Sequence, residues 1–148
     1  HEALPIFRVA GAAIAAAGTD SKAAKARVDE VMKNGLDDYP RDQNWIATLG
    51  TLAPAVAAVG NERQIRRAIE LLTPFEGRLI VVGQGAATHG AVSHHLGSLH
   101  AALAEWNTAR TLFTDAEALH RRVGATLYET HSRTAGLALR DRIQSGAH

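Results

Sequence analysis

The chain has 148 residues, of which 46% are hydrophobic and 21% charged, with a formal net charge of +1. This composition is ordinary for one globular domain, and so small a charge excludes a strongly basic surface for nucleic acid or acidic membranes. The absence of cysteine excludes disulfides, thiolate metal sites and a cysteine nucleophile. No apolar run approaches the roughly 18 residues that a membrane helix needs, and a cytoplasmic location is expected.

Helix-forming residues dominate the chain. Alanine occurs 29 times and only 5% of the residues are aromatic. Since alanine has the highest helix propensity and no segment alternates in the manner of a strand, we predict an all-α fold. The chain starts at His1 with no signal-peptide pattern, so residues 1–148 are expected to be a single helical domain within a larger protein.

Two helices are predicted in the first 35 residues. Ile6 to Ala17 is apolar and rich in alanine, and Gly18 ends it. Thr19-Asp20-Ser21 is an N-cap cluster for a second helix, which ends at Asn34-Gly35. The inward positions of this second helix are Ala24, Val28 and Val31. Residues 36–41 then form a linker.

A second pair of helices is predicted from Asp42 to Pro74. Asp42 can cap the first of them, Pro54 should kink it or start a new turn, and Gly60-Asn61 ends it. Its inward positions are Trp45, Leu49, Leu52 and Val56. The second helix runs from about Glu62 to Leu72.

Residues 75–90 are unusual because they combine four glycines with the apolar run Leu79–Val82, and their conformation stays open. The clearest helical hairpin follows them. The inward positions of its first helix are Val92, Leu96, Leu99 and Leu103, and those of its second are Ala109, Leu112, Phe113, Ala116 and Leu119. Gly124 separates this hairpin from a last helix, from about Thr126 to Ile143.

This hairpin matches the tetratricopeptide (TPR) repeat, a unit of about 34 residues. With Gly90 as its first position, Leu96-Gly97, Ala109, Phe113 and Ala116 occupy signature positions. The match predicts that Gly97 faces Ala109 where the two helices cross. With weaker copies at residues 4–35 and 44–74, the expected architecture is a TPR-like array of three degenerate hairpins and a closing helix.

A wider resemblance covers residues 38–139. The motifs that carry it, in order, are Asp38-Tyr39-Pro40-Arg41-Asp42-Gln43-Asn44-Trp45, Leu71-Leu72-Thr73-Pro74-Phe75, Val81-Val82-Gly83, His95-Leu96-Gly97 and Arg122-Val123-Gly124-Ala125. This series resembles the C-terminal helical region of actinobacterial LuxR-type transcriptional regulators with a STAND-type ATPase, some of them linked to a cyclase. The resemblance implies the sensor or scaffold part of a regulator rather than its cyclase, ATPase or DNA-binding part.

No catalytic, cofactor or metal site is predicted. Gly83-Gln84-Gly85 has Thr88 where a dinucleotide fingerprint needs its third glycine, and the Walker A sequence is absent. The spacing of His89, His94, His95 and His100 spreads their rings around a helix instead of pairing them for a metal, so they are interpreted as solvated histidines or as polar residues of a helix.

A hydrolytic site is also disfavoured. Ser93 is merely adjacent to His94 and His95, and Ser98 could meet Asp115 or His131 as readily as many other pairs could meet. Arginines cluster at Arg63, Arg66 and Arg67 and again at Arg121 and Arg122. Glu62 and Glu70 interleave with the first cluster, which favours a solvated helix with ion pairs over direct nucleic-acid contact.

The predicted function is therefore binding without catalysis. TPR-like arrays bind partners along their first helices, which here places a groove at Ala91, His94, Ser98 and Ala101, extended by Thr48. We expect a protein segment or small-molecule effector there, and changes of His94 and Ser98 that leave stability intact. A structural or dimerising module that couples neighbouring domains is the alternative, and a helical metal-binding or hydrolytic protein is less favoured.

Overall fold

The computed structural model describes Gly18, residues 20–82 and residues 87–146. Over these residues the protein is mostly helical, as predicted, with one two-stranded antiparallel sheet. The helices are α1 (Ser21–Met32), α2 (Trp45–Val59), α3 (Glu62–Leu72), α4 (Val92–Ala102), α5 (Trp106–Arg122) and α6 (Thr126–Gln144), and the strands are β1 (Leu79–Val82) and β2 (Ala87–Ala91). The helix predicted from Ile6 to Ala17 lies outside the described residues.

Helix α1 begins at the predicted cap, where the Asp20 carboxylate accepts a hydrogen bond of 3.0 Å from the backbone N–H of Ala23. Its inward stripe is buried as expected. The segment after it was predicted to be a linker, yet Leu36 and Tyr39 are both buried. Arg41 donates to both of their carbonyls and stacks over the Trp45 ring at 3.7 Å. This segment is thus a packed part of the core.

Helix α2 is the centre of the larger core. It contacts α1, α3, α4 and both strands. Its four predicted inward residues, Trp45 included, are all buried, which confirms that Trp45 is a core residue. Helix α3 packs beside α2 and begins at a capping box, in which the Asn61 side chain accepts from the Gln64 N–H while the Gln64 side chain accepts from the Asn61 N–H. A 3-10 turn containing Pro74 follows α3.

The segment left open in the sequence contains a β-hairpin, so the fold is not free of strands. Leu79 pairs with Ala91 and Val82 with Ala87, with an irregularity between Ile80 and Val81. Ile80 is fully buried, and a Cβ at Gly50 of α2 would lie 2.5 Å from its Cδ1. The glycine therefore lets the strand approach the central helix closely. The Gly83-Gln84-Gly85 sequence lies outside the described residues.

Helices α4, α5 and α6 follow one another through short turns, and α5 packs extensively against both neighbours. A Cβ at Gly97 would lie 2.8–3.0 Å from atoms of the Phe113 ring. The close partner of Gly97 is thus Phe113, one helical turn beyond the predicted Ala109. Ala109 itself is buried in a small cluster with Phe113 and Leu139.

Four charged side chains on the outside of α5 and α6 form a closed set of ion pairs, which we call the ion-pair square. Arg121 and Arg133 each contact both Glu117 and Glu129, with N–O distances of 2.9–3.0 Å. The set holds the two helices side by side. None of the helices in the described ranges is long and apolar enough to cross a membrane.

Candidate functional site

The most unusual polar arrangement in the described residues is a chain of hydrogen bonds between α4, α5 and α6, which we call the relay. The Ser132 hydroxyl of α6 lies 2.9 Å from Nδ1 of His94 and 3.3 Å from Nδ1 of His120. Nε2 of His120 accepts a hydrogen bond of 2.9 Å from the backbone N–H of Ala91, at the end of β2. His120 is fully buried and Ser132 is 1% exposed, so the relay lies inside the protein.

Hydrogen-bond chemistry fixes the protonation of the relay. A backbone amide can only donate, so Nε2 of His120 is unprotonated and the neutral ring carries its proton on Nδ1. That N–H donates to Ser132, whose own hydroxyl then donates to Nδ1 of His94. The His120 ring is therefore neutral, and burial favours the neutral form of His94 as well.

The surroundings of the relay keep both rings neutral. Burial, and to a smaller extent the nearby His95, His120 and His131, together lower the pKa of His94 to about 4. Burial also lowers the pKa of His120, although a hydrogen bond to the Tyr128 backbone and the charge of Glu129 oppose this.

A second pair of histidines adjoins the relay. His95 is 8% exposed, and its Nε2 donates to the backbone carbonyl of His89 at 2.9 Å. Burial lowers the pKa of His95 as well. The interpretation of these histidines as solvated is therefore wrong for His95 and for the partly buried His94. Their rings point into the protein because α4 is covered on two sides, which helical spacing alone does not reveal.

A serine beside an imidazole is the arrangement of a nucleophile and its base, but Ser132 is 1% exposed and no substrate reaches it in this structure. In the described part of the chain, no carboxylate is hydrogen-bonded to His94 or His120 to orient the ring. The serines considered in the sequence are placed differently. Ser93 is buried, and Ser98 donates to the backbone carbonyl of His94.

Metal binding has no geometric support within the described residues. No group of three or more His, Cys, Asp or Glu side chains in residues 20–82 and 87–146 is placed to hold a metal ion. His100, one of the four clustered histidines, instead pairs with Glu105 at 2.9 Å.

The groove predicted on the first helices of the hairpins is not an open surface. Ala91 is fully buried and Thr48 is 5% exposed, with its hydroxyl donating to the Asn44 carbonyl. His94 contacts the Phe113 ring at 5.1 Å between centroids and takes part in the relay. Ser98 and Ala101 are half-buried. His94 and Ala101 pack against residues of α5 and α6.

This placement reverses the expectation that His94 can be changed without loss of stability. We expect His94→Ala to lower the free energy of unfolding by about 1–3 kcal/mol, the cost of a buried polar group without its partner. The Ser132 hydroxyl loses its acceptor and Phe113 loses a ring contact. Urea titration at neutral pH measures the change, with Ser98→Ala as the control, and a shift below about 0.5 kcal/mol would exclude His94 from the packed interior.

An open cleft lies elsewhere, between α3 and the C-terminal end of α1 with the turn that follows it. Its volume is about 1010 Å³, and its lining is mainly charged side chains and amides. Arg67 of α3 holds the two walls together, because its guanidinium donates to the Gly35 carbonyl at 3.0 Å and contacts Asp37 and Glu70 at 2.9 Å.

Most charges in this cleft are already paired. Arg66 contacts Glu62 and Glu105, and Asp38 accepts a hydrogen bond from the Asn34 amide. The interpretation of α3 as a helix with ion pairs on its surface is therefore confirmed for Arg66 and Arg67. Lys33 and Arg63 also line the cleft and are exposed, and neither forms an ion pair with another described residue.

Comparisons with protein-family models, with curated proteins and with solved structures find no significant match to this chain.

Proposed function

We propose that this chain is a non-catalytic, TPR-like sensor or scaffold module of a bacterial regulator, and that its cleft between α1 and α3 binds an acidic segment of a partner protein. The observation that carries the proposal is the pair of unpaired cations, Lys33 and Arg63, in a cleft whose carboxylates are already engaged. The regulator itself, of the LuxR type with a STAND ATPase, rests on the sequence resemblance. An enzymatic role is not proposed, since Ser132, the serine beside the imidazoles, is only 1% exposed.

Polarity and openness to solvent favour a polypeptide over a small molecule in the cleft. Small-molecule pockets usually enclose about 300–1,000 Å³ and are lined mainly by apolar side chains. This cleft has about 1010 Å³, is open to solvent and is lined mainly by polar groups. An extended segment can lie between the walls and place carboxylates near both cations.

The unpaired charges in the cleft determine that the bound segment is acidic. The carboxylates of Asp37 and Glu70 are bound by Arg67, which leaves the ammonium of Lys33 and the guanidinium of Arg63 as the groups available for a new ion pair. Complementary charge guides the encounter and sets the orientation of the partner. Two cations with a net charge of +1 on the whole chain are too few for a duplex, so nucleic acid remains an unfavoured partner.

We expect Lys33→Glu/Arg63→Glu to weaken binding of a fluorescein-labelled glutamate-rich decapeptide at least about tenfold, because two attractive contacts become repulsive. Fluorescence anisotropy at low salt measures the binding. The matched control is Lys22→Glu/Arg110→Glu, which makes the same charge change at exposed residues outside the cleft. A lysine-rich decapeptide and a DNA oligonucleotide serve as comparison probes.

The outcomes of this experiment separate the alternatives. Unchanged binding in the cleft variant, or equal losses in both variants, would contradict the cleft as the binding surface. Tighter binding of DNA than of the acidic peptide, lost in the cleft variant, would assign the cleft to nucleic acid.

A structural or dimerising module is the second candidate, and exposed aliphatic side chains on and beside α6 favour it. Val123 is 51% exposed, and Leu127 and Leu137 of α6 are 64% and 50% exposed. Large exposed aliphatic side chains on one terminal helix are typical of a surface that packs against another domain or copy. The molar mass by light scattering, compared between the natural chain and Leu127→Lys/Leu137→Lys, distinguishes this role, since only a dimerising module halves its mass.

A further inference from the structure

We propose that the relay is a pH-sensitive latch, which holds α6 against α4 and α5 when its histidines are neutral and releases α6 when they take up protons. This goes beyond the binding role, since it concerns a different part of the fold and needs no partner. The inference rests on the hydrogen-bond geometry of Ala91, His120, Ser132 and His94.

Helix α6 lies along α5 but buries few of its own residues. Only Ser132 and Leu139 of its 19 residues are buried, whereas α4 buries six residues over 11. Beyond these, Tyr128 donates to the Thr88 carbonyl of β2 at 2.7 Å, and the ion-pair square joins α6 to α5. The relay is thus the main polar attachment of α6 inside the protein. If protonation breaks it, α6 has little buried apolar surface of its own to hold it in place.

Protonation breaks the relay at both rings. A proton on Nε2 of His120 faces the Ala91 N–H, so a donor meets a donor. A proton on Nδ1 of His94 displaces the hydroxyl hydrogen of Ser132, which has no other acceptor in the relay. Each event also places a positive charge in a buried site, which is costly without a counter-ion.

The groups that face the relay supply little compensating negative charge. From β2 and α4 these are His89 and His95, and from α6 they are Tyr128, Glu129 and His131. Glu129 is the single carboxylate among them in the described residues, and Arg121 and Arg133 already bind it. The remaining imidazoles repel a new charge, so protons enter the cluster when α6 moves away. The low pKa of His94, about 4, agrees with this.

Hydrogen exchange at the backbone amides of α6 tests the latch in the natural chain. Mass spectrometry is performed at pH values of about 7.5 and 5, with exchange times corrected for the intrinsic effect of pH. Since one pKa unit is a factor of ten in proton affinity, release that returns His94 to its ordinary pKa of 6.5 should make α6 exchange at least about tenfold faster at the lower pH. The amides of α3, which is far from the relay in sequence and shares no hydrogen bond with it, are the internal reference.

The matched variant is His94→Asn/His120→Gln, in which amide oxygens replace the accepting ring nitrogens but cannot take up a proton. Its α6 exchange should change less than about twofold between the two pH values, well short of the factor of ten per pKa unit in the natural chain. His131→Gln removes an exposed histidine that faces the relay without taking part in it, and should retain the acid-induced increase.

Two results would overturn the latch: equal α6 exchange at both pH values in the natural chain, or the same increase in the double variant. If circular dichroism shows that the double variant is unfolded, NMR titration of the imidazoles in the natural chain replaces it. The midpoint of the His94 or His120 signal must then coincide with the loss of α6 protection.

Discussion

Gly97→Ala is expected to lower the free energy of unfolding by about 1–3 kcal/mol, although alanine is the better helix former. The new Cβ would lie 2.8–3.0 Å from three atoms of the Phe113 ring. That ring is 3% exposed, and it touches the His94 ring on one side and packs with Ala109 and Leu139. It has no open space into which to move, so α4 and α5 must separate slightly.

Gly136→Ala is the matched control, because Gly136 lies in α6 and faces the same phenylalanine. Its new Cβ would be 3.7 Å from Cβ of Phe113, an ordinary contact. Relief of the glycine penalty should therefore raise stability by about 0.5–1 kcal/mol. Urea unfolding of both variants measures whether each substitution raises or lowers the free energy of unfolding. A stabilising Gly97→Ala would show that α4 and α5 are not in such close contact.

The sequence was sufficient for the helices because their signals are local. The bounds of α3 agree with the predicted Glu62–Leu72, since Asn61 and Gln64 form a capping box and Pro74 stops the chain beyond it. The inward stripe of α2 was also correct, because an apolar spacing of three and four residues specifies one face of a helix. These features depend on neighbours within one or two turns.

The β-hairpin and the relay depend on distant residues and were missed. The sequence Leu79–Val82 is short enough to be either a strand or a buried bend. It is a strand because its backbone pairs with β2, which the local sequence does not reveal. His94 and Ser132 are separated by 38 residues in sequence, and no motif joins them. One signal was available, because Ser132 lies seven residues before the buried Leu139 on the inward face of α6. A serine among apolar inward positions indicates a buried polar partner.

The burial of Ala91 and Thr48, two of the five predicted groove positions, was missed for a related reason. Repeat signatures identify which positions lie between helices, but the exposure of the remaining face depends on how the next helix covers it. Here α5 and α6 cover His94 through Phe113 and Ser132. The open cleft lies instead beside α3, where Arg67 spans from the helix to the Gly35 carbonyl. A contact over 32 residues between an arginine and a backbone carbonyl leaves no periodic pattern in the sequence.

The stability of the folded protein should fall by about 2–3 kcal/mol as the pH drops from about 7.5 to 4.5, and His94 is the principal cause. Its pKa is about 4 in the folded protein, against an ordinary value of 6.5. Above pH 6.5, His94 is neutral in both the folded and the unfolded protein, so its titration does not reduce the stability. Between 6.5 and 4 the unfolded chain binds a proton that the folded protein excludes, so stability decreases throughout that window. His95 and His120, whose pKa values burial also lowers, act in the same direction.

Urea unfolding at several pH values, followed by helix circular dichroism, measures this dependence. In His94→Asn the amide oxygen can accept from Ser132 but cannot titrate, so the difference in stability between the two pH values should shrink by about 2–3 kcal/mol. His131→Gln, which removes an exposed imidazole, should follow the natural chain. The pKa of Asp29 is lowered from 3.8, chiefly by a hydrogen bond from Gln64. The stability that this interaction contributes is lost only below pH 3.8, outside the pH range in which His94 acts. An equal decrease in the His94→Asn variant and the natural chain would show that His94 is accessible to protons in the folded state, and that the acid sensitivity of the fold arises from other groups.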